Sequence, residues 1–137
     1  MEHHRLSVSE VVSVADFRAA LRQFLRRSEQ IARKSGLTPQ RHLLLLMIKG
    51  APDGSEQSTV TDLADRLQLA QSTVTELVRR AEEAGLVTRE PSAADGRVAH
   101  LRLTAEGERR LATSFRSHAT ERRELQEAFR HLETDRR

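Results

Sequence analysis

The chain has 137 residues, which suits one domain with a modest hydrophobic core. It contains no cysteine, which excludes disulfides and a thiol-based redox sensor within the chain. Its formal net charge is +3, and its longest uninterrupted apolar run, residues 43–48, is too short to cross a bilayer. Since the first residues also lack the apolar core of a signal peptide, we expect a soluble, cytoplasmic protein.

The first predicted helix runs from residue 10 to about residue 34. Its apolar residues recur at a spacing of about 3.6 residues, which is typical of one helical face. They are Val14, Phe17, Leu21, Phe24, Leu25 and Ile31. Gly36 is expected to end this helix in a left-handed conformation, with Leu37 folding back on the last turn as in a Schellman ending.

A second helix is predicted to begin at Pro39, with Thr38 as its N-cap. Because residues 43–48 are apolar on every side of this helix, we expect it to be the buried centre of each subunit. Residues 50–58 read as a loop. Residues 58–60 are expected to add a short strand to a later hairpin.

Two short helices follow. The first, residues 61–67, has Thr61 as its expected N-cap and Asp62 in the first turn, where a negative charge suits the helix dipole. Its inward-facing residues are Leu63, Ala64 and Leu67. Residues 68–70 form a tight connection to the second helix, residues 71–84, so the pair is predicted to be a helix-turn-helix.

The second helix of this pair is strongly two-faced. Its apolar stripe consists of Val74, Leu77, Val78 and Ala81, and Gly85 with Leu86 is expected to close it as in a Schellman ending. Its opposite face carries short hydrogen-bonding groups and a cation, namely Gln71, Ser72, Thr73, Thr75, Glu76 and Arg79. Such groups suit the major groove of DNA, where they meet base edges and phosphates.

A β-hairpin is predicted next, with strands at residues 86–90 and 98–103 and a turn-rich connection at 91–97. Helix, turn, helix and hairpin together make a winged helix. Thr104 is expected to cap a last helical region, residues 105 to about 133, whose polar middle at 117–124 indicates a bend or two helices. All four phenylalanines lie in the terminal helices, which favours a dimer interface over the alternative that they cover the subunit's own core.

Three stretches resemble the multiple antibiotic resistance regulator (MarR) family: LTPQRHLLLL, LADRLQLAQSTVTELVRRAEEAGLVTRE and DGRVAHLRLTAEG. The most specific part is STVT, the Gly85-Leu86-Val87 ending, Asp95-x-Arg97 and Leu103-Thr104-x-x-Gly107 in that order. The resemblance covers residues 37–107. It implies a mainly α fold with a small β-hairpin, in which a winged helix-turn-helix (38–104) lies between dimerisation helices (10–36 and 105–135).

This resemblance implies a homodimeric transcriptional regulator, expected to be a repressor, that binds a palindromic site and is relieved by a small aromatic ligand. Two recognition helices about 34 Å apart would read an inverted repeat in double-stranded DNA. No ligand pocket can be read from the sequence, and no cofactor is expected. The six histidines include no pair at the spacing of a helical zinc site, so no metal is expected either.

Seven residues form the predicted DNA-binding set. Gln71, Ser72, Thr73 and Thr75 would meet base edges or phosphates, and Arg79 would grip a phosphate or a guanine. Arg97 would enter the minor groove, where narrow A·T tracts attract arginine, with Asp95 aiming its guanidinium. An ordinary turn ion pair is the alternative for these last two residues.

Three positions leave alternatives open. Ala70 stands where the family usually has a Ser or Asp cap, so the recognition helix could begin later, with Ser72 capping it and lost to base contact. Gly96 stands where a second basic residue is common, which predicts a more flexible wing tip. Glu76 would repel phosphates unless it accepts from cytosine or pairs with Arg79 or Arg80.

Charge does not by itself indicate nucleic acid. Residues 58–104 contain six arginines and seven acidic residues, a net charge of −1. A winged helix that binds another protein therefore stays as the alternative function. An enzyme is not expected, because the sequence has no Cys nucleophile, glycine-rich phosphate loop, metal-ligand constellation or G-x-S-x-G motif.

Overall fold

The computed structural model describes residues 5–91 and 97–134, with side chains up to residue 132. Its elements are α1 (Val8–Lys34), α2 (Pro39–Lys49), α3 (Val60–Leu67), α4 (Gln71–Glu83), β1 (Val87–Pro91), β2 (Ala99–Leu103), α5 (Ala105–Ser117) and α6 (Ala119–Thr134). The predicted fold class, mainly α with one antiparallel hairpin, is confirmed. No helix of the described part combines the length and apolar character required to span a membrane.

The chain forms two compact units. One comprises Ala32–Ser114, which we call the winged unit, and the other comprises Met1–Ile31 with Phe115–Arg137, which we call the terminal-helix unit. The first ten residues of α5 thus belong to the winged unit. The assignment of residues 105–135 to the dimerisation helices stays a prediction.

The core of the winged unit is built around α2, which contacts α3, α4 and β2. Leu44, Leu45 and Ile48 are fully buried there, as expected for a central helix. Leu43, however, is 41% exposed, so the expectation that residues 43–48 are buried on every side is wrong at this position. The other buried members of the core are Ala32, Leu37, Leu63, Ala64, Val74, Val78, Ala81, Leu86, Val87, Leu101 and Leu111.

The predicted end of α1 and the predicted start of α2 are confirmed. Gly36 adopts a φ of +78°, and the N–H of Leu37 donates to the carbonyl of Ala32 at 2.9 Å, which is the long bond of a Schellman ending. Thr38 caps α2 by accepting from the N–H of Arg41 at 3.1 Å, with Pro39 in the first helical turn.

The start of α3 differs from prediction. The N-cap is Thr59, whose hydroxyl accepts from the N–H of Asp62 at 3.1 Å, so the assignment of Thr61 as the cap is wrong. Of the three residues expected to extend the hairpin, only Ser58 pairs with it, exchanging two backbone hydrogen bonds with Leu101 at 3.1 and 2.8 Å. Because Ser58 is held extended there, the chain turns directly after it and Thr59 takes the capping position.

The hairpin strands lie within one residue of the predicted bounds. Val87 lies opposite Leu103, and Pro91 lies opposite Ala99 at the far end. Val87 and Leu101 are buried in the core of the winged unit, which anchors both strands at their base.

In the terminal-helix unit, α5 gives way to α6 at His118, inside the predicted polar segment, so two helices form instead of one rod. The His118 ring is buried and its Nε2 lies 2.8 Å from the Ser28 hydroxyl of α1. The rings of Phe17 and Phe129 pack edge to face with centroids 6.0 Å apart.

This unit nevertheless leaves much apolar surface exposed. Phe115 is 47% exposed and Phe129 is 48% exposed, although one edge of Phe129 meets Phe17. The start of α1 and the residues just before it are similar, because Leu6, Val8, Val11, Val12 and Val14 are all exposed. Contacts within the subunit therefore do not cover these phenylalanines fully.

Candidate nucleic-acid interface

Helix α4 turns its polar face outward because its apolar stripe is held in the core. Val74, Val78 and Ala81 are fully buried. The side chains on the opposite face, Gln71, Ser72, Thr73 and Thr75, are all exposed. Four of the seven predicted site residues thus lie together in the first turn and a half of one helix.

The start of α4 settles the alternative left open at Ala70. Ala70 is the N-cap, in an extended conformation, and provides no side-chain hydrogen bond to the helix. The helix begins at Gln71, so the alternative in which Ser72 caps a later start is wrong. Ser72 instead lies within the first turn and is exposed.

The turn between α3 and α4 is closed without glycine. Gln68 adopts a left-handed conformation with φ of +56°, and the N–H of Leu69 donates to the carbonyl of Ala64 at 3.1 Å. The Gln71 side chain also donates to the hydroxyl of Thr61 at 3.4 Å, which connects the first turns of the two helices. Backbone and side-chain contacts therefore both constrain the direction in which α4 leaves the turn.

The end of α4 forms the predicted Schellman ending. Gly85 has a φ of +76°. The N–H of Leu86 donates to the carbonyl of Ala81 at 2.9 Å, and the N–H of Gly85 donates to the carbonyl of Glu82 at 3.0 Å. This conformation is one that residues with a Cβ adopt at a cost, so glycine is favoured at position 85.

Thr104 connects this ending to the start of α5. Its hydroxyl donates to the carbonyl of Gly85 at 2.7 Å and accepts from the N–H of Gly107 at 3.0 Å. Its own N–H donates to the carbonyl of Leu86 at 3.0 Å. Thr104 therefore caps α5 as predicted, and the motif Leu103-Thr104-x-x-Gly107 is in addition a joint between α4, β2 and α5.

The joint requires a glycine at position 107. A Cβ built there would lie 2.2 Å from the carbonyl oxygen of Leu86, much closer than real Cβ atoms approach. The absence of a side chain therefore lets the first turn of α5 lie directly against Leu86, which comes just after the Schellman ending of α4.

The charged face of α4 is internally paired. The Glu76 carboxylate accepts from Nε of Arg79 at 2.9 Å and from Nε of Arg80 at 3.1 Å, and a second nitrogen of Arg79 also donates to it. Another nitrogen of Arg79 donates to Glu83. Of the two roles left open for Glu76, pairing with the neighbouring arginines is the one observed.

These contacts shift the titration of both partners. Hydrogen bonds from Arg79 and then Arg80 lower the pKa of Glu76 to about 2. The same carboxylate raises the pKa of Arg79 above its usual range. Glu76 is therefore an anion at any pH at which the protein would meet DNA.

The wing is described only in part. Arg97 is exposed, at the start of the returning strand segment. Asp95 and Gly96 lie outside the described residues, so the pairing of Asp95 with Arg97 and the flexible wing tip stay predictions. Arg102 lies lower on β2 and donates to the Ser55 carbonyl and the Gln57 side chain, both at 3.4 Å, which ties the hairpin to the loop after α2.

One lysine has a structural role. Lys49 donates to Glu108 at 2.9 Å and also to Glu56, which joins the end of α2 to the following loop and to α5. Its hydrogen bonds with Glu56 and then Glu108 raise the pKa of Lys49. Within residues 5–91 and 97–134, no cluster of three or more His, Asp or Glu side chains could hold a metal ion.

Comparison with known proteins identifies this arrangement. The model of the MarR family matches residues 35–98. The transcriptional regulator Tm0710 from Thermotoga maritima is 30% identical, with 76% of this chain and 73% of that chain covered and a TM-score of 0.60. No curated protein matches the sequence.

Two further solved structures have the same fold. One is AbsC, a MarR family transcriptional regulator from Streptomyces coelicolor, at 22% identity, covering 89% of this chain and 81% of that chain with a TM-score of 0.69. The other is Sco3205, a MarR family transcriptional regulator from the same organism that was solved in complex with DNA. It is 22% identical, with 89% of this chain and 76% of that chain covered and a TM-score of 0.67.

Proposed function

This chain belongs to the MarR family of transcriptional regulators, and from that premise we propose that it is a homodimeric repressor that binds an inverted-repeat operator in double-stranded DNA. The observation that carries the proposal is the exposed polar first turn of α4, which faces outward because the apolar stripe on the other side of the helix is fully buried. The solved complex of Sco3205 with DNA shows that this fold is used on DNA by a relative.

The chemistry of that first turn suits the major groove. Gln71 carries both an amide donor and an acceptor, which match the N7 and N6 groups of adenine. Ser72, Thr73 and Thr75 each carry a hydroxyl that can donate or accept at a base edge or a phosphate. Ala70 provides no side-chain cap, so the first N–H groups of α4 are open to a phosphate oxygen.

The wing supplies the second contact. The hairpin is paired from Val87 opposite Leu103 to Pro91 opposite Ala99, and Arg97 lies two residues before Ala99, next to the far end of the paired strands. We propose that Arg97 enters the minor groove beside the recognition helix, with Asp95 orienting its guanidinium.

The proposed dimer is formed by residues 10–36 and 105–135. Phe115 and Phe129 are about half exposed in a single copy, and the start of α1 exposes a row of apolar side chains. Exposed apolar side chains concentrated in one compact unit favour an interface there. Phe129→Glu should therefore shift the protein from dimer to monomer in sedimentation velocity, and a dimer of unchanged stability would contradict this placement.

We infer that a small aromatic ligand relieves repression, on the strength of family membership. A groove of about 550 Å³ in the terminal-helix unit offers suitable chemistry, because Phe17 and Phe129 provide aromatic walls and Arg130 provides a cation for a carboxylate. Since Phe129 also belongs to the proposed dimer surface, a ligand in this groove would bind at that surface. Salicylate is a direct probe of this class, and it should release bound operator; retention of the complex at saturating salicylate would argue against an aromatic acid.

The test of the proposed function is selection of bound sequences from a random duplex pool with the purified protein. Enrichment of an inverted repeat with half-sites about one turn apart is the expected result. A folded dimer that enriches nothing would favour the alternative, a protein-binding winged helix, which the paired charges of α4 and the net charge of −1 over residues 58–104 support. DNA binding should also weaken steeply with salt, whereas the alternative predicts no such dependence.

A further inference from the structure

The two arginines of the recognition helix are held by one carboxylate. Glu76 accepts hydrogen bonds from both Arg79 and Arg80, and Glu83 takes a further nitrogen of Arg79. These contacts use three of the five N–H groups of Arg79. Glu76 is thus the one residue of α4 that contacts both cations among the pairs described for this helix.

The pairing orients the arginines without immobilising them. Residues three and four apart on a helix lie side by side, and exposed ion pairs of this kind are weak. Arg79 can therefore leave Glu76 when a better partner approaches. The negative charge of Glu76 remains when Arg79 moves away, because its carboxyl group is ionised at neutral pH.

This fixed charge acts differently on the two kinds of DNA partner. A phosphate is itself an anion, so a phosphate that approaches Arg79 or Arg80 is repelled by the carboxylate beside them. The N7 and O6 acceptors of guanine are neutral and bind a guanidinium without that full repulsion. The same carboxylate thus penalises contacts that carry no sequence information more than contacts that do.

We propose that Glu76 is a specificity-determining residue, which positions Arg79 and Arg80 and weakens their binding to phosphates relative to base edges. The inference rests on the proposed function, because it concerns how the same helix discriminates between duplexes. Glu76 is therefore expected to lower the affinity for random DNA more than the affinity for the operator, which increases selectivity for the operator.

The experiment compares Glu76→Gln with the matched control Glu82→Gln. Both remove one negative charge from α4, but Glu82 pairs with Arg89 instead of with the two arginines. Affinities of each full-length variant for the selected operator and for a random duplex of equal length are measured across a salt series. Thermal unfolding followed by circular dichroism establishes that each variant is folded.

For Glu76→Gln we expect about tenfold tighter binding to the random duplex at low salt and a smaller gain for the operator, so the ratio of the two affinities falls. For the random duplex, the slope of log affinity against log salt should be steeper for Glu76→Gln than for the wild type by about 2 per dimer. This is the change expected from one extra phosphate contact per subunit. Glu82→Gln should change the ratio and the slope much less.

A second pair of variants tests whether the effect passes through the arginines. With Arg79 and Arg80 both replaced by Ala, Glu76→Gln should no longer steepen the salt dependence. An equal steepening in that background would overturn the positioning role.

Two other outcomes would also overturn the inference. Loss of operator binding in Glu76→Gln, with random binding unchanged, would mean that Glu76 itself contacts a base. An unchanged ratio and slope would mean that it has no part in discrimination. Both results presuppose a wild-type protein that selects an operator, so neither would contradict the proposed function. A wild-type protein with no preferred duplex would contradict both the proposed function and the role of Glu76.

Discussion

Gly107→Ala tests the joint that connects α4 to α5. The added Cβ would lie 2.2 Å from the Leu86 carbonyl oxygen, so the backbone must move by about 1 Å to restore an ordinary contact. Overpacking of this kind costs about 1–3 kcal/mol. The movement would also strain the two hydrogen bonds at about 3.0 Å that Thr104 forms with Leu86 and Gly107, each with a net contribution of about 1 kcal/mol.

One term opposes this loss. Alanine is a better helix former than glycine by about 1 kcal/mol, and position 107 lies in the first turn of α5. The net expectation is a decrease of about 2 kcal/mol in the free energy of unfolding. Thr104→Val is the matched variant, because it keeps the shape of the side chain and removes the hydroxyl; we expect it to cost about 1–2 kcal/mol.

The assay is urea unfolding at one fixed protein concentration, followed by far-ultraviolet circular dichroism, since the chain has no Trp and no Tyr. A lower midpoint with an unchanged slope is expected for both variants. If Gly107→Ala unfolds at the wild-type midpoint or above it, helix propensity outweighs the contact. The close approach of α5 to Leu86 would then not constrain the fold.

Three further predictions concern α4 and the wing. Arg97→Ala should weaken operator binding by about 1–3 kcal/mol in a fluorescence anisotropy titration while the dimer persists; unchanged affinity would remove the wing from the mechanism. Ala70→Ser should add the missing N-cap and raise the free energy of unfolding by about 1 kcal/mol, and an unchanged urea midpoint would show that the cap does not form. Carboxyl chemical shifts of Glu76 should titrate near pH 2 instead of 4.5, so the stabilisation from this group is present above pH 4.5 and is lost as the pH falls towards 2; a midpoint near 4.5 would contradict the pairing with Arg79 and Arg80.

Helix ends were the most predictable part of the fold, because their signals are local. Gly36 and Gly85 stand directly after the apolar stripes that they end, and both adopt the positive φ that the sequence indicated. Thr38-Pro39 is an equally local signal, and α2 begins there.

The start of α3 could not be predicted in the same way. Thr59 and Thr61 are both candidates for the cap, and Asp62 suits either one, as the third residue after Thr59 or as the first after Thr61. The choice depends on Ser58, which is held extended by Leu101 in a strand far along the chain. A contact between segments so distant in sequence leaves no local pattern to read.

The candidate site shows the same division. The periodicity of α4 correctly predicted which side chains face outward, and it placed Glu76 within reach of both Arg79 and Arg80. It could not decide between that pairing and a contact with cytosine, because the second partner belongs to another molecule. The reason for Gly107 was also hidden, since the carbonyl it approaches belongs to Leu86.

Changing the spacing of the half-sites tests most directly whether the two recognition helices of one dimer read two half-sites on the same side of the duplex, as we propose. The selected operator is compared with the same operator carrying five additional base pairs between its half-sites, which rotates one half-site by about half a turn. We expect the affinity to fall to that of a duplex with a single half-site, and a ten-base-pair insertion, which restores the phase, to recover more of it. Equal affinity for the original and the five-base-pair insertion would contradict simultaneous binding by a rigid dimer.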